Sequence, residues 1–251
     1  MTLPHLYLGP VDPAFPRPPI RWLSPDLDQT GIAWAWPEQG KDRARKLLSR
    51  AAMRPIYRFT SLKMGRSIHM ESALEQQVAM LLDACPTIEA FGEQPATIHF
   101  DNGEGIGRHI PDFAVTQKGR PWFLELKFSK DVDAPVLART ERLTDLLCPL
   151  GIGYRLLTEK HVTHGPRLAN AWALLQRARQ SVNPHQSLMT HQRVAHTPGV
   201  SLGELGWGTP LRTASLARDL IQGRFHVNFG QAITSDTCAW PTHVEGGWLW
   251  A

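Results

Sequence analysis

Two short segments decide the reading of this chain: Ile110-Pro111-Asp112-Phe113-Ala114-Val115 and Trp122-Phe123-Leu124-Glu125-Leu126-Lys127. Both are apolar and rich in β-branched or aromatic residues, as strands are. Each carries charge where a buried strand is otherwise apolar. Glu125 and Lys127 are two apart, so they share one face of a sheet, while Leu124, Leu126 and Phe128 point to the other. Asp112 opens the preceding strand, and the thirteen-residue separation from Glu125 suits a single hairpin turn at Lys118-Gly119-Arg120. Two carboxylates on adjacent strands can hold Mg²⁺, which takes oxygen ligands and keeps several waters. A lysine beside them can stabilise developing negative charge or orient an attacking water. The same residues also suit an ordinary hairpin in which Glu125 and Lys127 pair on an exposed face.

The flanking sequence fills in an α/β pattern. Residues 68–84 repeat Leu74, Val78, Leu81 and Leu82 at helical spacing, with Ser67 as a cap and Pro86 as a stop. Strands are expected over 87–91, 94–100, 108–117 and 121–128, a helix over 134–149, and a strand over 153–158. The order of helix, strands, helix and strand predicts an α/β core with a mixed sheet. Residues 1–37, with Trp22, Trp34 and Trp36, read as an irregular packed arm, and residues 38–52 as a short basic helix. Residues 167–180 read as a helix and 181–200 as a His-, Pro-, Ser- and Gln-rich linker. Two short helices, over 201–205 and 211–222, and a closing strand or turn follow.

Composition bounds the function. The 251 residues are 42% hydrophobic and 20% charged, which suits a soluble globular chain. Three cysteines without a CxxC pair make a disulfide scaffold or a cysteine zinc site unexpected. The start does not read as a signal peptide, and no apolar run has the roughly eighteen residues of a membrane span. A cytoplasmic protein with no membrane partner is the expectation. The net charge of +4 is unevenly spread, with basic segments on either side of an acidic stretch over 61–128. That pattern suits a carboxylate site acting on a polyanion, though it also describes an ordinary solvated surface. Gly103-Glu104-Gly105-Ile106-Gly107 lacks the Lys-Ser/Thr of a phosphate loop and reads as a hairpin. The eleven histidines show no zinc spacing.

Asp112, Glu125 and Lys127 together form the PD-(D/E)xK pattern of restriction-type nucleases. Over residues 65–128 the chain further resembles the TnsA-like endonuclease subunit of heteromeric transposases. Gly65-Arg66, Glu71-Ser72-Ala73-Leu74-Glu75, Phe91-Gly92-Glu93-Gln94-Pro95, Ile110-Pro111-Asp112-Phe113 and Leu124-Glu125-Leu126-Lys127 carry the resemblance. It implies a restriction-endonuclease-like core over 61–160; the residues themselves read as an N-terminal arm and basic helix over 1–60 and a small helical, winged-helix-like module over 161–251. It implies an active centre of Glu75, Asp112, Glu125 and Lys127. Mg²⁺ would be held by Asp112, Glu125 and Glu75, with Mn²⁺ as a substitute. Glu71 shares the face of Glu75 and could exchange roles with it, and some relatives carry Gln at the position of Glu125. Lys63, Arg66 and His109 are candidates for contact with nucleic acid.

The implied activity is cleavage of double-stranded DNA at the 5′ ends of a transposon. A DDE-type transposase would cut and join the 3′ ends, and an AAA+ ATPase regulator is a further candidate partner. A stand-alone nuclease of restriction or repair and a non-catalytic DNA-binding assembly subunit are the alternatives. The C-terminal segment is expected to serve recruitment.

Overall fold

The computed structural model describes residues 22–38, 43–44, 56–180 and 184–242. Residues 1–21 of the expected arm and most of the expected basic helix over 38–52 lie outside them.

In chain order the elements are α1 (Leu27–Thr30), β1 (Ile32–Ala35), β2 (Tyr57–Thr60), β3 (Ser67–Met70), α2 (Ala73–Ala84), β4 (Ile88–Glu93), β5 (Thr97–Asp101), β6 (Ile106–His109), β7 (Phe113–Gln117) and β8 (Arg120–Leu126). There follow α3 (Ala134–Leu147), β9 (Gly153–Leu157), α4 (Glu159–Val162), α5 (Arg167–Ala178), α6 (Pro184–His196), β10 (Val200–Ser201), α7 (Pro210–Ile221) and β11 (Cys238–Ala239).

The expected mixed sheet is present, in the order β4-β7-β8-β9. β7 is antiparallel to β4 and to β8, and β9 runs parallel to β8. A parallel neighbour requires a crossover, and α3 supplies it. Alternation then divides the sheet's side chains between two layers. Phe113, Val115, Leu124 and Leu126 join a large cluster with Val78, Leu81 and Leu82 of α2. Ala114 and Phe123 face the other way, into a second cluster with Leu143 and Leu147 of α3 and Ile32, Trp34 and Ile98 of a second sheet, β1-β5-β6. The tryptophan-rich arm is part of this layer: Trp34 sits in β1, and the rings of Trp22 and Trp34 meet Phe123 edge-on at 5.1 and 6.0 Å.

Local chemistry explains where the elements depart from expectation. The strand expected over 108–117 breaks at Pro111, which has no N–H to give a ladder, so β6 and β7 belong to different sheets. The helix expected from residue 68 begins at Ala73, because buried Ile68 and Met70 alternate with exposed Ser67 and half-buried His69 in β3. Its cap is Ser72, whose hydroxyl accepts from Glu75 N at 3.1 Å. The expected linker over 181–200 contains α6, and the short helix expected over 201–205 is replaced by turns after β10.

The expected C-terminal module over 161–251 shares the large cluster with the sheet. Leu174 and Leu175 of α5, Leu216 and Leu220 of α7, Phe225 and Phe229 are buried in it together with α2. A polar tie reinforces the join: Arg179 donates to Thr60 O at 2.7 Å. Among the described residues no helix is long and apolar enough to cross a membrane.

Two positions give direct tests of this packing. Trp122 lies flat over Gly153, where an added Cβ would meet the indole at 2.0 Å. Gly153→Ala is expected to cost about 1–3 kcal/mol of stability, measured by denaturant titration, because ring and strand must part. Buried Asp83 accepts from Ser61 Oγ at 2.5 Å and from the amides of Leu62 and Lys63, each at 2.9 Å. Asp83→Ala strands these donors beside the buried Lys63, so a loss of about 3–5 kcal/mol is expected in the same measurement.

Candidate active site

β7 and β8 bring Asp112 and Glu125 onto the face that carries Ala114 and Phe123. The backbone at Asp112 is held from both sides: its amide donates to Leu124 O at 2.9 Å and its carbonyl accepts from Gln94 N at 2.7 Å. Gln94 itself has φ 40°, a left-handed conformation that costs a non-glycine residue about 1–3 kcal/mol. That strained turn, immediately after β4, fixes where β7 begins.

The Asp112 side chain accepts from Leu126 N at 2.7 Å. Its carboxyl is pushed well above the ordinary range, first by burial and then by the charges of Glu125 and Glu75. Three acidic groups therefore sense one another here. Glu125 is 2% exposed. Burial opposes its ionisation, but His109, Lys127 and Arg139 outweigh that and hold it below the usual carboxylate range. Lys127 Nζ lies 3.2 Å and Arg139 Nη2 3.3 Å from Glu125 Oε1, and His109 Nε2 lies 3.0 Å from Oε2. The Tyr154 hydroxyl is 3.0 Å from the same His109 nitrogen. Burial, with Glu125 next, raises the Tyr154 phenol well above its ordinary value, which keeps it neutral.

Glu75 stands in the first turn of α2, where its charge acts on Asp112 and the cap holds its carboxylate. Oε1 accepts from Ser72 Oγ at 2.8 Å and Oε2 from Glu71 N at 3.0 Å. This is a variant of the capping box, spelled in sequence by Ser72 and Glu75 three residues apart. Burial is the main reason that Glu75 titrates above its ordinary value. Glu71, the alternative helix glutamate, instead lies 3.7 Å from Arg43.

The candidates for nucleic-acid contact fare differently. Lys63 is 2% exposed, and its Nζ donates to the carbonyls of Leu82 and Cys85 at the end of α2. Burial lowers its pKa to about 8. It is a structural lysine with no surface on which to meet a phosphate. Arg66 forms a two-pronged pair with buried Glu93, at 2.9 and 2.6 Å, which locks β3 to β4. His109 is committed to Glu125 and Tyr154.

Arg139 and Tyr154 were not among the residues expected at the site. Arg139 had a signal: it follows Val136 by three and precedes Leu143 by four, so it lies on the buried face of α3. Tyr154 had none, since an aromatic residue opening a strand is ordinary.

Among the described residues no group of three or more His, Cys, Asp or Glu side chains is arranged to hold a metal. Mg²⁺ is commonly held by only one or two carboxylates with water. Asp112 and Glu125 are oxygen donors of that kind, and the mutual repulsion at Asp112 marks a place where added positive charge is favourable.

No protein-family model matches the chain, and no curated protein matches it. Among solved structures it is similar to the crystal structure of protein VC1899 from Vibrio cholerae, with 18% identity over 59% of this chain and a TM-score of 0.25. The match spans 31% of that chain's length.

Proposed function

We propose that this chain is a Mg²⁺-dependent endodeoxyribonuclease of the PD-(D/E)xK type. The observation that carries the reading is the charged cluster on two adjacent strands, in which Lys127 Nζ lies 3.2 Å from Glu125, and burial, followed by the charges of Glu125 and Glu75, raises the pKa of the Asp112 carboxyl. The element order α2, β4, β7, β8, α3, β9 supports it as the layout expected of a restriction-endonuclease-like core.

Asp112 and Glu125 would hold the ion, with Glu75 as a neighbouring carboxylate that supports its charge. A bound Mg²⁺ polarises a phosphate oxygen and acidifies a coordinated water, and Mn²⁺ offers the same chemistry. Hydrolysis forms one P–O bond from water, breaks the bridging P–O bond and protonates the leaving oxygen. Lys127, with a side chain 37% exposed, is placed to stabilise the negative charge that builds on the phosphate. Arg66 and Lys63 organise the scaffold behind the site.

By resemblance, the substrate is double-stranded DNA at the 5′ ends of a transposon, and the partners are a DDE-type transposase and an AAA+ regulator. A compartment shared with DNA, the cytoplasm, follows from that role.

The test is a supercoiled plasmid carrying transposon ends, incubated with the protein, with and without its transposase partner. Cleavage that needs Mg²⁺ or Mn²⁺, stops with EDTA and leaves nicks at the 5′ ends supports the whole reading. Cleavage anywhere on the plasmid without a partner supports a stand-alone nuclease. DNA binding without cleavage under every condition would overturn the enzymatic reading.

A further inference from the structure

Among the described residues, three basic side chains gather on Glu125. Lys127 and Arg139 share its Oε1, and His109 takes Oε2, whereas the contact made by the Asp112 carboxylate is with a backbone amide. Lys127 belongs to the motif and His109 is fixed between Glu125 and Tyr154. Arg139 is different in kind.

It projects from α3 on the helix face that also carries Val136 and Leu143, both buried. A guanidinium on such a face is costly unless it is paired, and Arg139 is only loosely paired. Its contact with Glu125 is one nitrogen at 3.3 Å. Elsewhere in this protein, Arg66 shows what a committed arginine does: two parallel bonds to Glu93 at 2.9 and 2.6 Å. The Arg139 guanidinium also reaches the Tyr154 hydroxyl, while its Nε is buried with no hydrogen-bond partner. The side chain is 29% exposed, so part of it borders solvent. A planar fork with donors to spare, beside the carboxylate of Glu125 and the amine of Lys127, matches the geometry of a phosphate's non-bridging oxygens.

We infer that Arg139 is a second cation of the cleavage reaction: it screens Glu125 while DNA is absent and donates its fork to the scissile phosphate when DNA is bound. The inference rests on the nuclease reading above. Two consequences run in opposite directions. Without DNA, Arg139 competes with a divalent ion for Glu125, so removing it tightens ion binding. With DNA, it stabilises the charge developing on phosphorus-bound oxygen, so removing it slows cleavage. An arginine that merely props up the site would weaken both when lost.

The experiment uses the full chain with Mn²⁺ as probe, comparing wild type with Arg139→Gln and Arg139→Lys after circular dichroism has shown each to be folded. Mn²⁺ affinity is read by electron paramagnetic resonance without DNA, and single-turnover cleavage is read separately. Arg139→Gln is expected to bind Mn²⁺ about threefold or more tightly and to cleave about 10²-fold more slowly, the scale of losing one preorganised donor. Arg139→Lys, which keeps the charge and loses the fork, is expected to recover part of the cleavage rate. It is the variant on which the inference is judged if Arg139→Gln does not fold, and it must still cleave at least tenfold below wild type. Unchanged or weaker Mn²⁺ binding by Arg139→Gln, or cleavage by both variants within threefold of wild type, would overturn the inference. Asp112→Asn keeps the two readings apart: if it cleaves like wild type the nuclease reading fails, whatever Arg139 does.

Discussion

Asp112→Ala is expected to abolish Mg²⁺-dependent cleavage while leaving the melting temperature at or above that of the wild type. The two halves of that result have one cause. The Asp112 carboxyl is buried and repelled by Glu125 and Glu75, which raises its pKa, so the folded protein bears a cost to keep it charged. Alanine removes the cost together with the function. One backbone contact is lost, to Leu126 N at 2.7 Å, and relief of repulsion offsets it. Lys127→Ala is expected to keep the fold and DNA binding and to lower the cleavage rate by at least about 10²-fold. Cleavage by both variants within a few-fold of wild type would mean that the chemistry lies elsewhere.

Truncation after Lys160 is expected to give a chain that does not fold, whether or not a partner is present. It removes seven fully packed side chains from the large cluster: Leu174, Leu175, Leu216, Leu220, Ile221, Phe225 and Phe229. At even 1.5 kcal/mol each, their burial amounts to about 10 kcal/mol, comparable with the roughly 5–15 kcal/mol that stabilises a whole domain. The face of α2 they cover would be left in water. Far-ultraviolet circular dichroism and a thermal melt decide the matter: a cooperative transition in the truncated chain would show that residues 161–251 are dispensable for folding. Any recruiting role of this segment has to be sought by point substitution at exposed positions such as Trp172 or Leu211, which are 57% and 65% exposed.

The sheet and its charged strands were legible because two periodicities coincide there. Leu124 and Leu126 mark one face and Glu125 and Lys127 the other, and the structure keeps that division. The crossover helix was legible from Val136, Leu143 and Leu147. What escaped was long-range. Nothing local distinguishes the strand β1 around Trp34 from an irregular arm, since its partner is β5, more than sixty residues away. The α6 segment carries no strong apolar repeat, and its helix is stabilised by packing on α7 that composition cannot show. Lys63 looked like a surface lysine because sequence does not reveal that Leu82 and Cys85 turn their carbonyls toward it. Likewise Arg66 looked available for DNA because its mate, Glu93, is separated from it by β3, α2 and most of β4. Arg139 and Tyr154 converge on Glu125 and His109 from α3 and β9, elements that only the fold brings to β6 and β8.

The most direct test of the central claim is anomalous diffraction from crystals of this protein soaked in Mn²⁺. If Asp112 and Glu125 hold the ion, one peak lies between their carboxylates, at about 2.1 Å from an oxygen of each, as for a small hard cation, and it disappears in Asp112→Ala. An ion that binds only elsewhere on the molecule, or a site that stays empty at millimolar Mn²⁺, would contradict that claim.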